Sequence, residues 1–331
     1  MTSITSLELC AGAGGQALGL ERAGIKHACL MEIDRDACST LRLNRPKWLV
    51  SEADLTTFNG RTWRGVDLVT GGLPCPPYSI AGKQLGPQDE RDLFGHGLRI
   101  IDEVRPMGVL IENVKGILAP RFEEVRLDLK KKLKKLGYEV QWRLLNASDF
   151  GVPQLRPRVL FVGLPAYVMD FFEWPTPSLH PAPNVGDILF DLMAANGWKG
   201  VEAWSSICND VAPTLVGGSK KHGGPDLGPT RAKKAWEMLG VNGKSIAEEA
   251  PFPDFTGLPR LTVRMAARLQ GFPDTWQFHG RKTTAYRQVA NAFPPPVAQA
   301  VAKQIRLAIE KASRSRLHKQ APPIQQDILP L

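Results

Sequence analysis

LELCAGAGGQALGLERAG, residues 7–24, reads as a short apolar strand, a glycine-rich turn and the start of a helix. Gly12, Gly14 and Gly15 let the backbone turn tightly and approach a ligand with no Cβ in the way. A plain strand-to-helix connection carries the same glycines, so the turn alone leaves both readings open. The next apolar run ends in MEID and places Glu32 about 20 residues on, where folds of this kind use an acidic side chain to bind ribose hydroxyls. That pairing points to a nucleoside-containing cofactor. The third glycine of GxGxxG is missing at its offset, which favours a methyl donor over a nicotinamide dinucleotide.

Outward from this turn, residues 6–164 alternate short apolar runs with helical stretches, the pattern of a parallel sheet with helices on both faces. Strands are expected at residues 7–10, 27–32, 67–70, 109–112 and 159–163. FEEVRLDLKKKLKKLG, residues 122–137, reads as an amphipathic helix closed by Gly137. Its lysines form a solvated face or meet phosphates, and the first is the commoner use of such a run. Past residue 164, Pro, Gly and Trp accumulate and periodicity fades until about residue 260. This segment holds slightly more acidic than basic residues, so nucleic-acid binding there would need specific contacts. Helical patterns return in LTVRMAARLQGF, residues 261–272, and in PPPVAQAVAKQIRLAIEKA, residues 294–312. The expected organisation is therefore a catalytic and cofactor-binding domain over 1–164 and a separate irregular module over 165–260. A return segment over 261–313 completes the first domain, and a loose tail follows over 314–331.

With 331 residues, 43% apolar and 23% charged, the chain can bury one large core and a smaller second one. Its formal charge of +9 suits a polyanionic partner. No basic start leads into an apolar run, and no stretch of about 18 apolar residues occurs, so a soluble, unexported, cytoplasmic protein is expected. Five cysteines form no CxxC pair and no regular even set, which argues against a metal site and a disulfide framework. Cys10, Cys29, Cys38 and Cys208 sit among apolar or small neighbours and read as inert core thiols.

Cys75 differs. In DLVTGGLPCPPYSIAGKQLG, residues 67–86, an expected strand runs into Gly71 and Gly72 and then delivers Cys75 within LPCPP. Residues preceding proline are pushed to extended geometry, so Leu73, Cys75 and Pro76 make a stiff loop that presents the thiol. A free thiol has a pKa of about 8.5, so attack at neutral pH needs help in forming the thiolate. VLIENV, residues 109–114, places Glu112 and Asn113 at the same carboxyl edge. In NASDFGVPQLRPRVLFVGL, residues 146–164, Gln154, Arg156 and Arg158 alternate along an expected extended strand, either in surface ion pairs or facing one site. Asp54, in SEADLTTF, is a candidate acceptor for an adenine amino group or a cap or turn residue.

Taken in order with RLQGFPDTW, residues 268–276, and YRQVANAFPPPVA, residues 286–298, these segments resemble the DNA cytosine-5 methyltransferases, in their bacterial, restriction-modification-like form, from residue 7 to about residue 302. The resemblance implies an α/β, Rossmann-like, S-adenosylmethionine-dependent methyltransferase fold. Its sheet is mixed and mostly parallel, and it carries a smaller irregular target-recognition domain. It further implies that Cys75 adds to C6 of a flipped-out cytosine in double-stranded DNA, because C5 alone is a poor nucleophile. Glu112 then holds the base edge at N3, while Arg156 and Arg158 organise the site and stabilise charge. The implied cofactor set is Cys10, Gly12, Ala13, Gly14, Gly15, Glu32, Ile33, Asp54, Leu55, Gly72, Leu93, Asn291 and Ala292, with S-adenosylhomocysteine as the product. The implied DNA set is Gln154, Thr214 and Leu215, joined by Ser79, Lys83 and Gln84 of a mobile loop that closes over the base, while Lys220 and Lys221 sit among flexible glycines in what is either a DNA loop or a solvated one. A monomer is expected, acting at the nucleoid beside a cognate restriction endonuclease, without metal or membrane.

Four positions depart from the family pattern. Cys10 replaces the Phe that packs on adenine, Pro76 a Gln after the nucleophile, Met265 a Glu, and Ala290 a Gly before Asn291. Three other readings compete. Methylation of cytosine in tRNA is disfavoured by the long recognition segment and by the missing Cys-Phe-Thr triplet of that branch. A catalytically silent DNA-binding regulator is disfavoured by the intact Cys75, Glu112, Arg156 and Arg158. A nicotinamide oxidoreductase leaves those four unexplained.

Overall fold

Continuously buried strands, covered on both faces, organise the chain around one mixed, seven-stranded sheet. The computed structural model describes residues 3–73, 93–217 and 225–320. The strands are β1 (Thr5–Leu9), β2 (Lys26–Glu32), β3 (Val50–Glu52), β4 (Leu68–Gly71), β5 (Gly108–Val114), β6 (Glu139–Asn146) and β7 (Pro157–Leu164). They lie in the order β3-β2-β1-β4-β5-β7-β6, and β7 runs antiparallel to both of its neighbours. The five expected strands are present with ends shifted by at most two residues. β3 and β6 were not expected. β3 has three residues, and β6 is an exposed edge in which too few positions are buried to show alternation.

The expected strand through Gln154, Arg156 and Arg158 starts late. Pro153 and Pro157 cannot donate to a ladder, so pairing begins at Pro157, and Gln154 makes only an isolated bridge with Ala212.

The helices are α1 (Gly15–Arg22), α2 (Arg35–Asn44), α3 (Phe94–Val104), α4 (Glu123–Lys135), α5 (Ala166–Met169), α6 (Val185–Ala194), α7 (Val201–Ile207), α8 (Thr230–Met238), α9 (Val263–Leu269), α10 (Lys282–Asn291) and α11 (Pro295–Gln320). α4 is the expected amphipathic helix, and Gly137 after it is left-handed at φ 95°. α11 continues to Gln320, past residue 314 where the sequence reading starts a loose tail.

One sheet face presents Leu68, Leu110, Leu160 and Val162 to Leu20 of α1 and to Val297, Val301 and Ile305 of α11. The other presents Leu7, Leu9, Val69, Val109, Ile111 and Phe161 to α3 and α4. The segment that closes the first face thus comes from the far end of the chain. A third core gathers α6 to α9 around Trp198, Trp204 and Trp236, and it reaches the return segment at Trp276, Tyr286 and Val289. Among the described residues, no helix is long and apolar enough to cross a membrane.

Candidate active site

β1 and β4 are neighbours although the chain visits β2 and β3 between them, so a crevice opens beyond their carboxyl ends. A cavity of about 410 Å³ occupies it. Cys10, Gly12, Ala13, Gly15, Glu32, Ile33, Asp54, Leu55, Gly72, Leu93, Asn291 and Ala292 all line this cavity. Gly14, the remaining member of the expected cofactor set, is not in the lining. It is left-handed at φ 84°, and a Cβ there would fall 2.6 Å from Leu41 and 3.0 Å from Trp276, so it shapes the turn from behind.

Glu32 ties β2 to the glycine turn. Its Oε2 accepts from Gly12 N–H at 2.7 Å, and its Oε1 accepts from the N–H groups of Ile33 and Asp34. Oε1 is thereby filled, while Oε2 keeps one lone pair. Asp54 does the turn work that its sequence context allows: Oδ1 accepts from both the N–H and the hydroxyl of Thr56 at 2.8 Å. Those bonds hold its carboxyl below the usual range, and Oδ2 has no partner among the described residues. Cys10, the first departure, is left-handed at φ 55°, and burial beside Glu32, Asp54 and Glu8 pushes its thiol pKa up.

The second half of the cavity wall carries Glu112 and Arg158. Arg158 Nε donates to Glu112 Oε1 at 2.7 Å, with both side chains about one-seventh exposed, at 14%. Burial lowers the arginine's pKa, and the carboxylate beside it opposes that shift. Gly72 closes in from β4: a Cβ there would lie 3.3 Å from Glu112 Oε2.

Arg156 does not reach the cavity. It is 1% exposed and donates to Leu215 O, Ala290 O and Ala292 O at 2.9, 2.7 and 3.0 Å. Gln154 is also enclosed, donating to Gln270 Oε1 and Leu269 O and accepting from Leu215 N–H. Gln154 and Leu215, expected at DNA, therefore lie inside, their groups spent on joining the recognition segment to the sheet. Thr214 is half-buried, with its hydroxyl bonded to Leu155 O. The segment expected to recognise the target comes close to this cavity, since a Cβ on Gly217 would fall 2.4 Å from Asn291 Oδ1. Cys75, Pro76, Ser79, Lys83, Gln84, Lys220 and Lys221 lie outside the described residues.

A family profile described as C-5 cytosine-specific DNA methylase matches residues 4–307. The chain belongs to this family. Its members here include the type II methyltransferase M.NaeI of Lentzea aerocolonigenes, 51% identical over 96% of this chain and 78% of that protein. M.NgoMIV of Neisseria gonorrhoeae is 52% identical over 93% of this chain and 98% of its own. The crystal structure of DNMT2 from Spodoptera frugiperda superposes with a TM-score of 0.64 at 17% identity, covering 92% of this chain and 100% of that one, which establishes the shared methyltransferase fold. This cytosine-5 methylase thus has an α/β, Rossmann-like architecture. No group of residues able to hold a metal ion occurs among the described residues.

Sequence reasoning passed over several lining residues, among them Glu8, Gln16, Asp34, Arg287 and Gln288. The signal was present: Leu7 and Leu9 alternate into one core, which sends Glu8 to the opposite, equally covered face.

Proposed function

We propose that this methylase transfers a methyl group from S-adenosylmethionine to C5 of a flipped-out cytosine in double-stranded DNA, as the modification enzyme of a restriction-modification system. The observation that carries this reading is the Glu112–Arg158 pair on the wall of the same cavity as Glu32 and Asp54. The cavity suits such a cofactor. Its volume lies within the roughly 300–1,000 Å³ of small-ligand sites. The spare lone pair of Glu32 Oε2 fits a ribose hydroxyl, and Asp54 Oδ2 fits an adenine amino group. Ile33 and Leu55 supply apolar contact for the base. When bound, S-adenosylmethionine supplies an electrophilic methyl group.

The chain's own residues make C5 reactive. The Cys75 thiolate adds to C6, while Glu112, protonated or hydrogen-bonded at N3, draws the ring electrons that make C5 nucleophilic. Arg158 orients the Glu112 carboxyl through its 2.7 Å bond. Once C5 is methylated, a base removes the C5 proton, and the Sγ–C6 bond breaks to return the thiolate. Flipping the base out of the stack costs on the order of a few kcal/mol. Residues 165–260 are assigned to target recognition, with Thr214 at its edge, and a cognate endonuclease is the expected genetic partner. The type II methyltransferase names of the relatives support that role.

Radiolabelled methyl transfer to duplex DNA and to tRNA, with Cys75→Ala as control, tests the reading. Label on DNA in the native chain and none in the variant is expected. Label on tRNA alone, or equal labelling by the variant, would overturn it.

A further inference from the structure

The glycine turn is fastened from the far end of the chain. Gly12 and Gly14 are left-handed at φ 54° and 84°, and inside the turn the Gly14 N–H reaches back to Ala11 O at 3.0 Å. Two glycines in so short a stretch leave the backbone free to adopt other shapes, so the turn needs holding from outside. Glu32 holds the Gly12 N–H. The carbonyl of Ala13, between the two glycines, is held by Trp276, whose Nε1–H donates to it at 3.2 Å across 263 residues of sequence. Ala13 is 1% exposed and lines the cavity, so its carbonyl would gain little from solvent if this donor were lost.

Trp276 is 1% exposed, and its neighbours fix the ring. The rings of Phe272 and Trp48 lie 5.9 and 6.1 Å away, and the Arg45 guanidinium stands 5.2 Å over the indole. Glu21 of α1 in turn holds that guanidinium through bonds of 2.8 and 3.0 Å. The next residue, Gln277, is strapped to α2 by two bonds with Asn44, at 2.8 and 2.7 Å. The indole also sets the space behind the turn, since a Cβ on Gly14 would fall 3.0 Å from its Cζ2. A peptide unit is planar, so holding Ala13 O orients the whole link between Ala13 and Gly14. Resting on the cofactor reading above, we propose that Trp276 is a positioning residue for S-adenosylmethionine, its indole N–H setting the shape in which the glycine turn meets the cofactor.

Trp204 shows what a core tryptophan without this task looks like. It is 4% exposed, belongs to the same core, and donates from Nε1–H to Gly240 O at 2.9 Å. Neither Trp204 nor Gly240 lines the cavity, whereas the carbonyl that Trp276 holds belongs to a residue that does. Without the Trp276 N–H, the link between Ala13 and Gly14 can rotate, because glycine accepts either sign of φ. The binding shape then becomes one of several, and the apparent affinity falls with the fraction of chains that hold it. Glu112 and Arg158 keep their own bond on the other half of the wall, so the loss falls on cofactor binding and spares the chemical step.

Calorimetric titration of the full chain with S-adenosylhomocysteine, and methyl transfer to duplex DNA at varied S-adenosylmethionine, test this on Trp276→Phe and Trp204→Phe. Trp276→Phe keeps a ring in the core and removes the N–H. It should weaken S-adenosylhomocysteine about five- to tenfold and raise KM for S-adenosylmethionine by a similar factor, with kcat within about twofold. Trp204→Phe removes an N–H from the same core and should leave all three within about twofold. If Trp276→Phe does not fold, the same measurements are made on the chain carrying 3-benzothienylalanine at position 276, which keeps the two-ring shape and puts sulfur in place of the N–H. Native affinity without the Trp276 N–H, equal weakening in Trp204→Phe, or a fall in kcat at unchanged KM refutes the positioning role and leaves the cofactor reading standing. If the native chain binds no S-adenosylhomocysteine, the cofactor reading itself falls.

Discussion

At the scale of single residues, His27 is held in one protonation state by its surroundings. Its Nε2 lies 3.0 Å from Ala17 O and its Nδ1 3.0 Å from Ser6 Oγ, while the ring meets Trp48 edge-on at 4.6 Å. A neutral ring satisfies both contacts, with Nε2–H donating to the carbonyl and the Ser6 hydroxyl donating to Nδ1. Burial lowers the pKa from its ordinary 6.5 to about 4. Between those values the unfolded chain binds more protons than the native one, so stability is fully present above pH 6.5 and is lost as pH falls toward 4. The full loss is about 3 kcal/mol, at roughly 1.4 kcal/mol per unit. Glu8 acts in the opposite sense, because its raised pKa withdraws stability as pH rises from 4.5 to about 8. Urea unfolding of His27→Gln against the native chain isolates the histidine. The variant should lose about 2 kcal/mol less than the native chain between pH 6.5 and pH 5. Equal slopes would remove His27 as the cause.

At the scale of elements, the contact of α1 with α11 depends on an absent side chain. A Cβ on Gly19 would fall 2.4 Å from Ala298 Cβ, 2.6 Å from Pro295 O and 2.8 Å from Gln299 N. Two of these obstacles are backbone and cannot rotate away. Alanine improves helix propensity by about 1 kcal/mol over glycine, but overpacking against fixed backbone costs about 1–3 kcal/mol, so Gly19→Ala should destabilise. A lower urea midpoint with an unchanged slope is the expected outcome. The α9 start explains one family departure. Thr262 Oγ1 accepts from Met265 N–H at 3.2 Å, and Met265 Sδ, where the family pattern leads one to expect Glu, accepts from Thr262 N–H at 3.3 Å. Met265 is 1% exposed, so a thioether closes the capping box without burying a charge. Elements with a sustained period, such as α4 and α11, were legible in the sequence. β6 was not, because an exposed edge strand is held by its ladder to β7 and carries little hydrophobic pattern of its own.

At the scale of the whole molecule, the lining of the cavity was legible because its glycine turn, acidic residues and returning Asn291 occur as compact motifs. What could not be read was which polar residues the fold would enclose. Gln154 and Arg156 look like Arg158 in the sequence, yet only Arg158 faces the cavity. Arg156 instead joins three parts: its guanidinium leaves the lead-in to β7 and holds Leu215 O of the recognition segment and Ala290 O and Ala292 O of the return segment. Ala292 is itself on the cavity wall. Replacing Arg156 by Leu would take that donor from Leu215 O and Ala290 O, at about 1–3 kcal/mol each, would leave Ala292 O with Gln270 Nε2 alone, and would relieve the cost of burying a cation. A net loss of about 3 kcal/mol is expected. Because Ala292 O, which loses one of its two donors, belongs to the cavity wall, S-adenosylhomocysteine should also bind less tightly, by about tenfold, with Arg156→Lys falling between Leu and Arg. Urea unfolding and calorimetry on the same preparations separate the two effects. A stability loss with native affinity would make Arg156 a fastener of the recognition segment alone, with no bearing on the cavity wall.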